Sequence, residues 1–219
     1  VLLEKNGILG GTATSSLMCV FMGVDRGLLG GIGREIIDSL VGSRSAIDGI
    51  YTTFDPEALK QLLFELVSAS GMRTLLHASL SGVERDGDKI KSVSYLSKSG
   101  TRRLEAAVFV DATGDGDVAA LSGAAFEKGD SRGRVQPVTS LFRVGNVDPE
   151  PYIRYVSQNP DQFTKEYLMS VFEFDRNPPL IIASGFFDLI RRAKDRGELD
   201  LPHNLINIAS LPRRGEFLI

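Results

Sequence analysis

Val1-Leu2-Leu3-Glu4-Lys5, followed shortly by Gly10-Gly11-Thr12, is the stretch on which the fold turns. An apolar run closed by a carboxylate is how the second strand of a dinucleotide-binding βαβ unit ends. There the acid accepts hydrogen bonds from the adenosine ribose, about 20 residues after the glycine-rich turn that receives the pyrophosphate. Glu4 leaves no room for that turn ahead of it. The run therefore reads as a second strand with the usual first strand missing, and the predicted fold is α/β, an incomplete Rossmann-like sheet.

Composition is that of a globular protein. The 219 residues, 42% hydrophobic and 24% charged, suffice for one large domain or one and a half ordinary ones. A net charge of −3 with no block of like charges suggests neither a nucleic-acid surface nor a membrane-surface patch. The arginine pairs at 102–103, 191–192 and 213–214 read as solvated faces. A single cysteine, Cys19, excludes an internal disulfide and a redox-active pair. It fits a reducing compartment, so the expected location is cytoplasmic. No apolar stretch approaches the roughly 20 residues that span a bilayer.

Periodicity predicts a helix over 32–41, with Ile32, Ile36, Ile37, Leu40 and Val41 on one stripe and Gly42 as C-cap. A second helix starts at Asp55-Pro56-Glu57, where Asp55 can cap, Pro56 suits the first turn and Glu57 meets the positive end of the dipole. Leu59, Leu62, Leu63, Leu66 and Val67 form its buried face, and Gly71 stops it. A strand is expected over 73–79. Three strands with turns at Asp86-Gly87-Asp88 and at 97–100 read as a β-meander, in which Val93 and Tyr95 alternate with Ser92 and Ser94. The almost wholly apolar run 106–110 reads as a strand covered on both faces. Beyond Arg143 prolines punctuate the chain. Helices are expected over 150–157, 161–172 and 185–196, and 216–219 is strand-like with no visible partner.

Val110-Asp111-Ala112-Thr113-Gly114-Asp115-Gly116-Asp117 is the second glycine-rich strand end. Gly114, Gly116 and Ala119 satisfy G-x-G-x-x-A, but the helix that follows is short and the next acids, Glu127 and Asp130, arrive too early. The match is assigned to chance. Asp115 or Asp117 can cap the helix near Val118. A calcium loop fails on ligand spacing. Cys19 reads as a buried core thiol, His77 as a structural residue within an apolar strand, and His203 as a loop residue. Two distant histidines and one cysteine make no metal site.

Taken together, Leu2 to Gly7, Gly10 to Thr14, Phe54 to Lys60 and Val110 to Asp117 resemble the FAD-dependent oxidoreductase family, which has a glutathione-reductase-type FAD-binding fold. The resemblance continues through 123–129 and 136–139. It implies FAD as cofactor, with the acid at Glu4 on the adenosine ribose, Lys5 beside it, and Gly10, Gly11 and Thr12 near the pyrophosphate and ribityl chain. Leu80 would present backbone to the adenine, and Ala112, Thr113 and Gly114 would pass close to the dinucleotide. Glycine-exposed N–H groups can approach a diphosphate without obstruction. Flavin chemistry resides in the cofactor and demands no nucleophile or base from the protein, so no catalytic residue is assigned. Gln136 and Thr139 are candidates to face substrate.

On this reading, 1–144 is a partial FAD-binding domain lacking its first strand and glycine-rich turn, and 145–219 begins a mixed α+β substrate or cap domain. The chain is then an internal fragment of a flavoenzyme that transfers electrons or hydride between FAD and a small-molecule substrate or redox partner. By itself it would hold FAD weakly or not at all and be inactive. Two alternatives stand beside this: a non-catalytic nucleotide-binding or interaction module sharing the fold, and an NAD-dependent dehydrogenase. The meander argues against the second, since a plain doubly wound sheet places a crossover helix there. The pattern specifies neither the substrate nor the electron acceptor nor an oligomeric state.

Overall fold

The computed structural model describes residues 1–22, 28–49, 51–164 and 171–219. The chain divides into two compact units, one of residues 1–11 and 63–140, the other of 12–62 and 141–219.

In the first unit Leu2–Leu3 lies parallel to Thr74–Leu75, the pairing expected of neighbouring strands in a Rossmann-like sheet. The meander follows as strands Ser79–Asp86, Lys89–Ser97 and Gly100–Glu105. Its turns use Gly87 and Gly100, both at positive φ (58° and 87°), where a Cβ would be strained. Val93 is buried as expected, yet Ser92 on the opposite face is buried too. Its hydroxyl donates to Glu84 and accepts from the Arg103 guanidinium, so long charged side chains roof the face expected to be wet.

Two strand expectations in this unit are corrected. The 73–79 run is not one strand: it pairs only at Thr74–Leu75, and at His77 φ is +51°, which no continuous strand tolerates. The apolar 106–110 run pairs with no described strand, and Val108 and Val110 are 76% and 82% exposed. Apolar composition marks residues suited to burial but supplies no partner.

The second unit holds a three-stranded antiparallel sheet with Thr52–Phe54 between Val20–Phe21 and Ala46–Ile47. It also holds a five-stranded antiparallel sheet in the order Val171–Glu173, Leu180–Gly185, Ile206–Ser210, Phe217–Leu218, Arg143–Val144. The 216–219 run thus finds partners on both sides. Leu180–Gly185 is buried along its whole length, as a central strand covered on both faces must be. Helices Pro149–Gln158 and Phe187–Asp195 contribute Val156 and Ile190 to a cluster with Phe163, Ala183 and Phe186. Tyr155 stacks on Phe186, ring centroids 5.9 Å apart.

The helix Gly31–Gly42 buries Ile37 and Leu40, but Ile32 is 70% exposed. The helix closes at Ser43 and Arg44, not at Gly42 as a left-handed cap, because Arg44 takes the positive φ of 58°. The helix Pro56–Ala69 begins as read, the Asp55 carboxylate accepting from Glu57 N–H at 2.8 Å. A helix over 161–172 does not form: Pro160–Gln162 is a single 3-10 turn, Phe163 bridges to Gly185, and 171–173 is a strand. The rest of that expectation, 165–170, lies outside the described residues. Cys19 is wholly buried. Burial first, then the nearby Asp55 carboxylate, pushes its thiol up to about 12. No helix among the described residues is long and apolar enough to cross a membrane.

Candidate functional site

Glu4 is fixed by the strand it ends. Leu2 N–H donates to the Arg73 carbonyl and Glu4 N–H to the Leu75 carbonyl, both at 2.9 Å, continuing the parallel ladder. Past Glu4 the chain turns back on the carboxylate: Asn6 N–H donates to Glu4 Oε1 at 2.7 Å. The outgoing chain is stitched to the next segment by Ala78 N–H on the Glu4 carbonyl (3.0 Å) and His77 N–H on the Asn6 carbonyl (3.1 Å). The carboxylate is half-buried, and among the described residues Oε2 has no partner. Lys5 beside it is exposed.

Gly7 and His77 face each other across this turn. A Cβ on Gly7 would lie 2.7 Å from His77 Nε2 and 2.8 Å from Cε1, so the imidazole lies directly against the glycine α-carbon. His77 is exposed and left-handed, not the strand-interior residue its apolar neighbours suggest. Leu80 follows in the first meander strand opposite Tyr95, and the register shifts between Leu80 and Gly82.

Gly10 and Gly11 have φ of 103° and 51°, conformations that favour glycine. A 3-10 turn, Gly11–Ala13, carries the chain into the second unit. No described atom lies within 4 Å of where a Cβ on Gly11 would stand. Gly10 and Thr12 are exposed, and the Thr12 carbonyl accepts from Met18 N–H at 3.1 Å.

The third segment is organised by a residue to which sequence reasoning gave no role. Asp111 Oδ1 accepts from both Thr113 N–H (3.0 Å) and Thr113 Oγ1 (2.7 Å), while Oδ2 accepts from Ala119 N–H at 2.9 Å. Thr113 Oγ1 in turn accepts from Asp117 N–H at 2.7 Å. Together they satisfy N–H groups at the start of the helix Asp117–Leu121, the role expected of Asp115 or Asp117, neither of which supplies a side-chain cap. The Thr113 hydroxyl first, then the Ala119 and Thr113 N–H groups, hold the Asp111 carboxyl below its ordinary value.

Ala112, Thr113 and Gly114 are all exposed, with the Thr113 hydroxyl committed within the loop. Gly116 has φ of 69° and needs to be glycine. Gly114 has no positive φ, and no described atom lies within 4 Å of its Cβ position. Neither its backbone nor its packing explains a missing side chain. Arg85 ties this segment to the meander by donating from Nη1 to the Ser122 carbonyl.

Glu4 is thus hydrogen-bonded to the 75–78 segment that leads into Leu80, and Lys5, Leu80, Ala112, Thr113 and Gly114 belong to the same unit. Thr12 belongs to the other. Chemically the first unit offers a carboxylate oxygen for hydroxyl donors and glycines that let an anion reach backbone. Sequence reasoning gave no individual role to Asn6, Gly7 or Asp111, and read His77 only as a structural strand residue. An Asn-Gly dipeptide signals a turn at 6–7, and Asp111, two residues before Thr113, is an Asx-turn signature. For His77 only the folded chain shows the ring against Gly7.

A family model described as FAD dependent oxidoreductase matches residues 1–205. No curated protein and no solved structure gives a match. Since that model spans nearly the whole chain, which also carries the Rossmann-like pairing and the glycine-rich segments in order, the chain belongs to the FAD dependent oxidoreductase family, with FAD as its cofactor.

Proposed function

We propose that this protein transfers electrons or hydride between FAD and a small-molecule substrate or redox partner. In this reading Glu4 receives the ribose hydroxyls of the adenosine end, with Lys5 beside it, and the backbone at Leu80 faces the adenine. Gly10, Gly11 and Thr12 line the pyrophosphate and ribityl chain, and Ala112, Thr113 and Gly114 pass beside the dinucleotide. FAD, when bound, supplies the redox chemistry itself. The chain's own residues bind and orient it.

The observation that carries the reading is the family match over residues 1–205, within which a parallel strand leading into Glu4, the positive-φ glycines 10 and 11 and the 112–114 loop follow in order. The Glu4 carboxylate fits as well. It is held by its own turn through Oε1, leaving Oε2 for a hydroxyl donor, and a charged acceptor makes the stronger kind of hydrogen bond.

The test is a visible spectrum of the protein expressed from its complete reading frame and purified without added flavin. The expected result is a yellow protein with flavin absorbance that bleaches on anaerobic reduction and returns with an acceptor, and whose released cofactor is FAD by mass. A colourless protein that takes up NAD but no FAD would overturn the proposal.

A further inference from the structure

Neither His77 nor Gly7 has a ligand contact assigned above, and their contact lies beside the hydrogen bonds that set Glu4. The turn that carries Glu4 is closed from three directions. Its own carboxylate binds Asn6 N–H, Ala78 N–H binds the Glu4 carbonyl, and His77 N–H binds the Asn6 carbonyl. The His77 ring closes the remaining side by lying where a Gly7 Cβ would be, 2.7 Å from Nε2. To reach it the backbone at His77 adopts φ of +51°, a conformation unusual for a residue with a Cβ and tolerated better by histidine, asparagine and aspartate than by most. Such outliers persist where surrounding structure over-determines them and cluster at ligand sites. The ring fills no core, since His77 is exposed.

We propose that His77 is a positioning residue for Glu4: its imidazole, seated on the α-carbon of Gly7, locks the 4–7 turn in the geometry that presents the carboxylate to the adenosine end of the dinucleotide. This rests on the assignment of Glu4 to the adenosine ribose made above. Gly7 is then glycine because the ring needs its space, and His77 is left-handed because the ring must reach it. The ligand recognised is an adenosine diphosphate moiety, so the effect belongs to ADP-ribose as much as to FAD.

The test uses the protein expressed from its complete reading frame, stripped of cofactor, with FAD binding read by flavin fluorescence and ADP-ribose binding by calorimetry. His77→Asn keeps a residue suited to the left-handed backbone and removes the ring, Gly7→Ala evicts the ring while leaving it in the sequence, and Glu4→Gln removes the charge. Each is expected to weaken both ligands about tenfold, and the His77→Asn/Glu4→Gln pair to stay within about twofold of Glu4→Gln alone, since residues acting through one group are not additive. Thermal midpoints of the stripped proteins should change little, because the ring buries no core.

Wild-type affinity in folded His77→Asn overturns the proposal, as does a double variant whose losses multiply. If His77→Asn lowers the midpoint so far that lost binding tracks unfolding, Gly7→Ala decides, and wild-type affinity there overturns it. Loss of FAD binding with unchanged ADP-ribose binding also overturns it. Wild-type protein that binds ADP-ribose but not FAD removes the flavin reading alone, and the same cycle on ADP-ribose then decides the role of His77. Wild-type protein that binds neither overturns both.

Discussion

Two glycines in one loop give a substitution pair that separates ligand from fold. Gly116 holds φ of 69°, whereas Gly114 has no positive φ and open space where a Cβ would stand. Alanine at 116 takes on left-handed strain of about 1–2 kcal/mol. At about 2–4 °C per kcal/mol for a chain of this size, the thermal midpoint should fall by roughly 2–8 °C. Alanine at 114 meets no clash and narrows the unfolded ensemble, which stabilises by about 0.4–1 kcal/mol, so the midpoint holds or rises by up to about 4 °C. Ligand binding moves the other way. A methyl at 114 occupies the space through which the proposed dinucleotide reaches backbone, and breaking one hydrogen bond to a charged group costs about 1.5–3 kcal/mol, roughly ten- to a hundredfold in Kd. The assay is FAD titration by fluorescence quenching, alongside calorimetric melting of the cofactor-free proteins. Gly114→Ala with wild-type FAD affinity would refute the role given to this loop. Gly114→Ala as destabilised as Gly116→Ala would refute the reasoning that separates the two glycines.

Further outcomes follow from the second unit. Alanine at Gly185 would place Cβ 2.3 Å from the Gln162 carbonyl oxygen and 2.9 Å from Phe163 Cα; backbone cannot swing aside, so urea unfolding should show a loss of about 1–3 kcal/mol, and an unchanged midpoint would count against the packing described. The Tyr152 hydroxyl is buried with no partner among the described residues, beside the Phe186 and Phe217 rings. Tyr152→Phe should therefore gain about 1 kcal/mol by removing a desolvated polar atom, and a lower melting midpoint would contradict this. Cys19, raised from 9.0 to about 12 by burial first and the Asp55 charge second, stays protonated in the folded state where the unfolded thiol has ionised. Its stabilising contribution is complete below pH 9.0 and is lost as pH rises toward 12, at up to about 1.4 kcal/mol per pH unit. Urea unfolding free energies across that window should lose this slope in Cys19→Ala, and a slope that persists would assign it to other groups.

How far the fold could be read from the chain depended on whether each signal was local. The Asp55-Pro56-Glu57 start is a contact within one turn, and it forms as the residue types dictate. The meander is likewise local, each strand pairing with the next through a glycine turn. What local pattern does not carry is which distant strand accepts a given edge. Phe217 pairs with both Ser210 and Val144, and nothing in the strand-like 216–219 run announces either. The reverse error has the same cause: 106–110 has the composition of a buried strand yet finds no described partner. At 161–172 helical periodicity lost to a bridge from Phe163 to Gly185, a tertiary contact overriding a local preference.

The candidate site divides along the same line, and there the division carries meaning. In the proposed reading, Glu4 and the glycines are legible because chemistry toward a dinucleotide would constrain residue type directly. The residues that hold them in place, Asn6, Gly7, His77 and Asp111, act through backbone hydrogen bonds and van der Waals contact, which many side chains could supply in some other geometry. Asp111 makes the point most sharply. Standing among aspartates that suggested a metal loop or a helix cap further on, it spends both carboxylate oxygens on the loop's own N–H and hydroxyl groups. That commits the Thr113 hydroxyl within the loop. Those hydrogen bonds do not remove the Asp111 charge; they favour the ionised form and hold the carboxyl below its ordinary value. What reads in the sequence as one acid of an acid-rich run is thus, in the folded chain, the internal brace that shapes the loop around Gly114.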